Sequence, residues 1–143
     1  AQSRGAHVVE LDMTQPFTAA RARNAGLAVL PDDVELVQFL DGDCVVQEGW
    51  IEQAESFLNE HPEVAVVCGR RREIYPEASV YNTLINDEWD TPVGEALACG
   101  GDALMRREAV EAMLGYRDDL IAGEEPELCL RLRQAGFGGL ISK

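Results

Sequence analysis

Val37-Gln38-Phe39-Leu40-Asp41-Gly42-Asp43 is the stretch on which the fold turns. A short run of strand character ends in two aspartates one residue apart, and an amphipathic stretch opens at Gly49. A buried strand would deliver both carboxylates to its carboxyl end, where open α/β sheets place their ligands. Two such carboxylates suit a divalent cation, and a hard cation with open positions suits a diphosphate. Asp-Gly is also a common turn, so the plain-turn reading stands beside the functional one. A calcium-binding EF-hand loop is excluded. Asp41, Asp43 and Glu52 fit its first, third and last positions, but Val45 and Val46 stand where an oxygen ligand and a glycine are required.

Outward from this stretch, strand and helix patterns alternate. Residues 36–40 read as a strand. Residues 49–60 read as a helix, because Trp50, Ile51, Ala54, Phe57 and Leu58 recur at the spacing of one buried helical face, and His61-Pro62 ends it. Val64-Ala65-Val66-Val67-Cys68 is a continuous apolar run, as expected of a strand buried on both faces. Upstream, residues 7–11 read as a strand and 17–30 as an alanine-rich helix flanked by Pro16 and Pro31. Downstream, 70–95 reads as an irregular or partly helical excursion of the kind that touches substrates. Residues 96–99 then read as a strand, 106–114 as a helix closing at Gly115, 126–135 as a helix stopped by Gly136, and 139–142 as a final strand. The alternation predicts one α/β domain over 1–143 with a mostly parallel sheet.

The 143 residues are 46% hydrophobic, enough for a real core, and carry a formal charge of −14. That charge excludes binding a nucleic-acid backbone by electrostatics alone. An acidic protein that handles an anionic substrate needs local help, from a metal or from placed arginines. Cys44, Cys68, Cys99 and Cys129 form no close zinc-type pair. Each sits beside apolar neighbours, so they read as reduced core thiols of a cytoplasmic protein. No apolar run approaches the ~20 residues of a membrane span. The opening Ala1-Gln2-Ser3-Arg4-Gly5 lacks an initiator Met, and a piece of a longer protein is expected.

Four further groups carry potential chemistry. In Gly123-Glu124-Glu125-Pro126, Pro126 suits a first helical position and makes Glu125 a candidate N-cap. Acidic residues favour helix starts in any case, but a carboxylate held there can also take a proton. Arg131, four residues after Glu127, fits a helical surface pair. In Cys99-Gly100-Gly101-Asp102, paired glycines either end a strand or admit a close approach. Arg21-Ala22-Arg23-Asn24 places two arginines on a helix, where they neutralise diphosphate charge or sit in water. Arg70-Arg71-Arg72 reads as a solvated loop.

The order and spacing of these blocks, A-A-R-A-R-N-A-G-L, V-Q-F-L-D-G-D, C-G-G-D-A-L-M-R-R-E and G-E-E-P-E-L-C-L-R-L-R-Q-A-G-F, resemble the family 2 glycosyltransferases, over residues 18–138. The resemblance implies the GT-A fold and inverting transfer of a sugar from a nucleotide diphosphate donor to a hydroxyl acceptor. It implies that Asp43 binds Mn²⁺ or Mg²⁺ and that Asp41 contacts the donor or the metal's water. It implies that Gly100, Gly101 and Asp102 line the sugar site, and that Glu125, with Glu124 second, is the general base. Arg131 would lie near the diphosphate or the acidic pair, and Arg23 and Asn24 near the donor. The chain departs from the family in two respects. The family's opening strand–helix–strand, which holds the nucleotide base, is not in this sequence, and residues 7–11 resemble its third strand. Glu125 also stands where aspartate is usual, which lengthens the base by one methylene. A non-catalytic glycan- or partner-binding module of the same fold and a nucleotidyltransferase are the alternative readings. Tyr75, Tyr81 and Trp89, in the excursion, are candidates for stacking on an acceptor sugar.

Overall fold

The structure is a computed structural model, and it describes residues 2–142. Its elements run α1 (Ala19–Leu27), β1 (Leu36–Gln38), α2 (Trp50–Glu60), β2 (Val64–Cys68), α3 (Val80–Glu88), β3 (Gly94–Ala96), β4 (Ala103–Arg106), α4 (Arg107–Ala112), α5 (Glu124–Gln134) and β5 (Gly138–Ser142). The strands form one sheet in the order β1-β4-β2-β5-β3.

Helices cover both faces of the sheet, as the continuous burial of β2 and of most of β4 requires. Ala54 and Leu58 of α2 pack on Val64, Val67 and Leu104. On the other face, Ala20 of α1, Val110 of α4, and Leu128 and Leu132 of α5 close over Val66 and Met105. Every residue of β2 is buried, as its unbroken apolar run predicts. Trp50 Nε1 donates to Gln38 Oε1 at 2.9 Å and ties the start of α2 to the end of β1. The 39–49 connection is thereby pinned at both ends.

The α/β layering stands, but the strand directions are corrected. Only β2 and β5 pair in parallel; β1–β4, β2–β4 and β3–β5 are antiparallel. The difference comes from β4, most of which the sequence pattern leaves unassigned between the strand expected at 96–99 and the helix expected at 106–114. Four residues lead straight into α4, and a run that short has no period of its own. Residues 7–11 form no strand either; they have no regular secondary structure and are largely exposed, with no neighbouring strand to complete a ladder. The strand expected at 96–99 lies at Gly94–Ala96.

The pairing registers decide where a site can lie. Gln38 faces Leu104, Cys68 faces both Ala103 and Ser142, and Gly94 faces Ser142. The carboxyl ends of β1, β2 and β5 therefore share one end of the sheet with the start of β4. The 39–49, 69–79 and 97–102 connections all emerge there.

Candidate functional site

Arg23 is the centre of that end. Thr18 caps α1, its hydroxyl accepting from Arg21 N at 3.1 Å and donating to Asp118 O at 3.0 Å. Arg21 turns back to the carbonyls of Asp12, Gln15 and Pro16. Two residues later, on the opposite side of the helix, Arg23 enters the cleft. Its Nη2 donates to Asp41 Oδ1 at 2.9 Å, and its Nη1 lies 2.7 Å from Glu124 Oε1 and 2.8 Å from Glu125 Oε1. One guanidinium thus joins two acidic clusters more than eighty positions apart in the sequence. Burial works against the charge of Arg23, but Glu125 and the other acids outweigh it and hold the group above its ordinary range. The floor beneath is aromatic: the Tyr116 ring lies 5.4 Å from the Arg23 guanidinium and meets Phe39 edge-on at 5.2 Å.

The acidic pair comes from the first turn of α5. Gly123, at φ 83°, lets the chain turn into the helix, so the helix starts at Glu124 and Gly123 is the N-cap. This corrects the expectation that Glu125 is the cap. Pro126 sits within the first turn, where its missing N–H costs no bond. Glu124 is buried.

The two aspartates of the opening stretch diverge. A turn closed by Cys44 N donating to Asp41 O at 3.0 Å separates them. Asp41 points inward to Arg23, while Asp43 is exposed, with Oδ1 3.7 Å from Cys44 Sγ. The paired glycines sit where close approach demands them. A Cβ on Gly101 would lie 2.5 Å from Asp41 Oδ2, and one on Gly100 would lie 2.9 Å from the Arg71 guanidinium carbon. Asp102 faces Arg71 Nε at 3.6 Å, and burial pushes its carboxyl up to about 6 in spite of that partner.

Asn24 and Arg131 hold structure instead of joining the Arg23 group. Asn24 exchanges bonds with Tyr116 O at 2.7 Å and Tyr116 N at 2.9 Å, and reaches Asp118. Arg131 pairs with Glu127 at 2.7 Å and donates to the carbonyls of Gly115, at 2.9 Å, and Met113. Both fasten the 113–118 turn behind the cleft.

The sequence reading missed Arg71 and Tyr116. Arg71 and Arg70 are not a solvated run: Arg71 lies 4.8 Å from the Trp89 ring and faces Asp102, and Arg70 pairs with Asp90. The signal for Arg71 was present, since it follows the carboxyl end of a buried strand as Asp41 does. Tyr116 lies in a loop and carries no such signal. Tyr75 and Tyr81 are exposed, and none of the residues of α3 is buried. A hollow of about 570 Å³ lies at the other end of β4. It is lined by Asp32, Glu35 and Arg106, and Arg106 is engaged by the carbonyls of Leu58, His61 and Val64, so its role is structural.

Among the described residues, no three acidic, histidine or cysteine side chains converge as a ready metal cage. Asp41 and Asp43 nonetheless offer hard oxygen donors at an open turn. Oxygen donors of this kind are the type that Mn²⁺ and Mg²⁺ take together with water or phosphate oxygens.

Glycosyl transferase family 2 matches residues 2–114. The chain belongs to that family. Pre-mycofactocin glycosyltransferase of Mycobacterium tuberculosis, in strains CDC 1551 and H37Rv, is 28% identical over 134 residues. That match covers 82% of this chain and 27% of each relative, so the chain spans about a quarter of their length. The crystal structure of S. aureus TarS 1-349 superposes with a TM-score of 0.62 at 12% identity, over 88% of this chain and 37% of that one. This superposition supports the GT-A-like fold. No helix among the described residues is long and apolar enough to cross a membrane.

Proposed function

We propose that this chain carries the donor-diphosphate and base side of an inverting, metal-assisted glycosyltransferase. The observation that carries the reading is the single Arg23 guanidinium joining Asp41 to Glu124 and Glu125. Metal-directed and proton-accepting carboxylates border one cleft, as displacement of a diphosphate by a hydroxyl requires. Asp43, with Asp41, holds Mn²⁺ or Mg²⁺. When bound, that ion supplies Lewis-acid stabilisation of the charge growing on the leaving diphosphate.

The chain's own residues do the rest. Glu125 accepts the proton of the acceptor hydroxyl at a carboxylate oxygen. Arg23 fixes the direction of that carboxylate, and Glu124, buried on the same nitrogen, stops the guanidinium from drifting. Gly100, Gly101 and Asp102 form the wall along which the sugar lies. Asn24 and Arg131 keep the turn beneath Arg23 in place. The donor is a nucleotide diphosphate sugar and the acceptor a glycan or another hydroxyl. The family match supports both, and the thiols of Cys68, Cys99 and Cys129 support a reducing, cytoplasmic setting.

Calorimetric titration of UDP, GDP and inorganic pyrophosphate, with and without Mn²⁺, tests the metal half. Affinity that needs the ion and is lost in Asp43→Ala supports the enzyme. Affinity indifferent to both favours a glycan- or partner-binding module. Transfer or donor hydrolysis by Glu125→Gln tests the base: a loss of about 10²- to 10⁴-fold is expected, and unchanged turnover removes Glu125 from the role.

A further inference from the structure

Cys99 and Cys129 stand on two walls of the cleft. Cys99 directly precedes Gly100-Gly101-Asp102, and Cys129 lies on α5 one turn beyond Glu125. Their Sγ atoms are 3.3 Å apart, and both residues are buried. Closing that gap to a sulfur–sulfur bond takes a shift of about 1.3 Å, within reach of a small side-chain rotation on each partner. Both sulfurs lie in the apolar cluster that also contains Cys68 and Leu128, so they face each other in a site with little water.

From this juxtaposition we propose that Cys99 and Cys129 are a reversible redox pair, joined as a disulfide by a peroxide and reopened by a dithiol. The balance is simple. The two thiols give up two protons and two electrons; the peroxide O–O bond takes them and leaves as two waters. The two sulfurs share a hydrogen bond in which either can be the donor, and the thiol that ionises is the attacking sulfur. Its thiolate displaces hydroxide from hydrogen peroxide, which takes up the released proton as the first water, and the sulfur becomes a sulfenic acid. The other sulfur of the pair then attacks that sulfur, and its proton departs with the hydroxyl as the second water. Burial pushes Cys68, the third thiol of the cluster, up to about 11 and leaves it the poorer nucleophile.

The bond would bolt the Gly100–Asp102 wall to the helix that carries Glu124 and Glu125. Nothing in this depends on the glycosyl-transfer reading, and its test uses no activity. The protein in a Cys44→Ser background, without its exposed thiol, is treated with hydrogen peroxide and mapped by mass spectrometry. A Cys99–Cys129 linked peptide that a dithiol dissolves is expected. The unfolding midpoint should rise by roughly 5–10 °C. Hydrogen exchange at residues 100–102 should slow by about ten-fold. Cys129→Ser should remove all three effects; should that core variant fail to fold, Cys99→Ala is required to remove them instead. Sulfinic acid on either sulfur without a link, or a link through Cys68, overturns the proposal.

Discussion

The two acidic clusters of the cleft carry the same charge and meet opposite fates. Glu124 and Glu125 keep only 7% and 14% of their side-chain surface and share one nitrogen of Arg23. Asp41 keeps 47%, and Asp43 is exposed. The first cluster is partly neutralised inside the protein by a cation of its own chain. The second is only half committed to that cation and turns its remaining oxygens outward. Carboxylates of the first kind are held for a fixed task, whereas carboxylates of the second kind are free to take an external cation. The contrast teaches that local sequence cannot separate them: both read as acidic turns until Arg23 shows which one the core has claimed.

The sharpest way to break the comparison is to remove Arg23. In Arg23→Met the inner pair is left as two uncompensated, nearly buried charges, and the loss of stability should be about 3–5 kcal/mol. Urea unfolding measures it. A cost below about 1 kcal/mol would mean the inner cluster is as well solvated as the outer one. Arg23→Lys keeps the charge but cannot span two carboxylate groups with a fork, so it should fall between.

Gly101→Ala probes the contact between the clusters from the opposite wall. The new methyl would stand 2.5 Å from Asp41 Oδ2, so Asp41 or the 97–102 segment must shift. A cost of about 1–3 kcal/mol is expected, together with weaker metal-dependent pyrophosphate binding. Unchanged binding would show that the Asp41 position is not needed for the outer cluster to work.

Much of this was legible in the chain, and the exceptions share a cause. The α2 pattern and the β2 run carry their own periods, so sequence suffices for them. The position of Asp41 and Asp43 just past β1 follows from the short apolar run before them. Glu124 and Glu125 carried a local explanation, the helix dipole, that only long-range contact could displace. β4 was hidden because four residues have no period, and its antiparallel insertion reversed the expected sheet. Arg71 and Tyr116 were missed because their roles are set by what faces them, Asp102 and Trp89 for one and Arg23 and Phe39 for the other. Asn24, placed near the donor by the resemblance, and Arg131, placed near the diphosphate or the acidic pair, both fasten the 113–118 turn.

Asp102 supplies a test by pH. Its folded value of about 6 lies above its ordinary 3.8, so the folded protein binds this proton more tightly than the unfolded chain. The group favours folding below about pH 4, and that contribution is lost as pH rises through 6. Discounted for solvent screening, Asp102→Asn should stabilise the protein by about 1 kcal/mol at pH 7 and by nothing near pH 3.5. A gain independent of pH would show that lost charge at Asp102 is not its source. Like Glu124, Asp102 is a carboxylate on the inner side of the comparison, but without a guanidinium at bonding distance.

The smallest effect is the most telling. Asp43→Ala should change stability by less than about 0.5 kcal/mol, because an exposed carboxylate on a turn supports nothing folded. Asp41→Ala should cost more, since it strips one carboxylate from Arg23, yet leaves Glu124 and Glu125 on the guanidinium. Chemical unfolding of the two variants side by side, repeated with added Mn²⁺, measures the difference. In the parent protein Mn²⁺ should raise the midpoint by mass action, and in Asp43→Ala it should not. A destabilised Asp43→Ala without metal would move that residue into the inner cluster. An equal Mn²⁺ response in parent and variant would place the ion elsewhere and leave Asp41 and Asp43 as two ends of an ordinary turn.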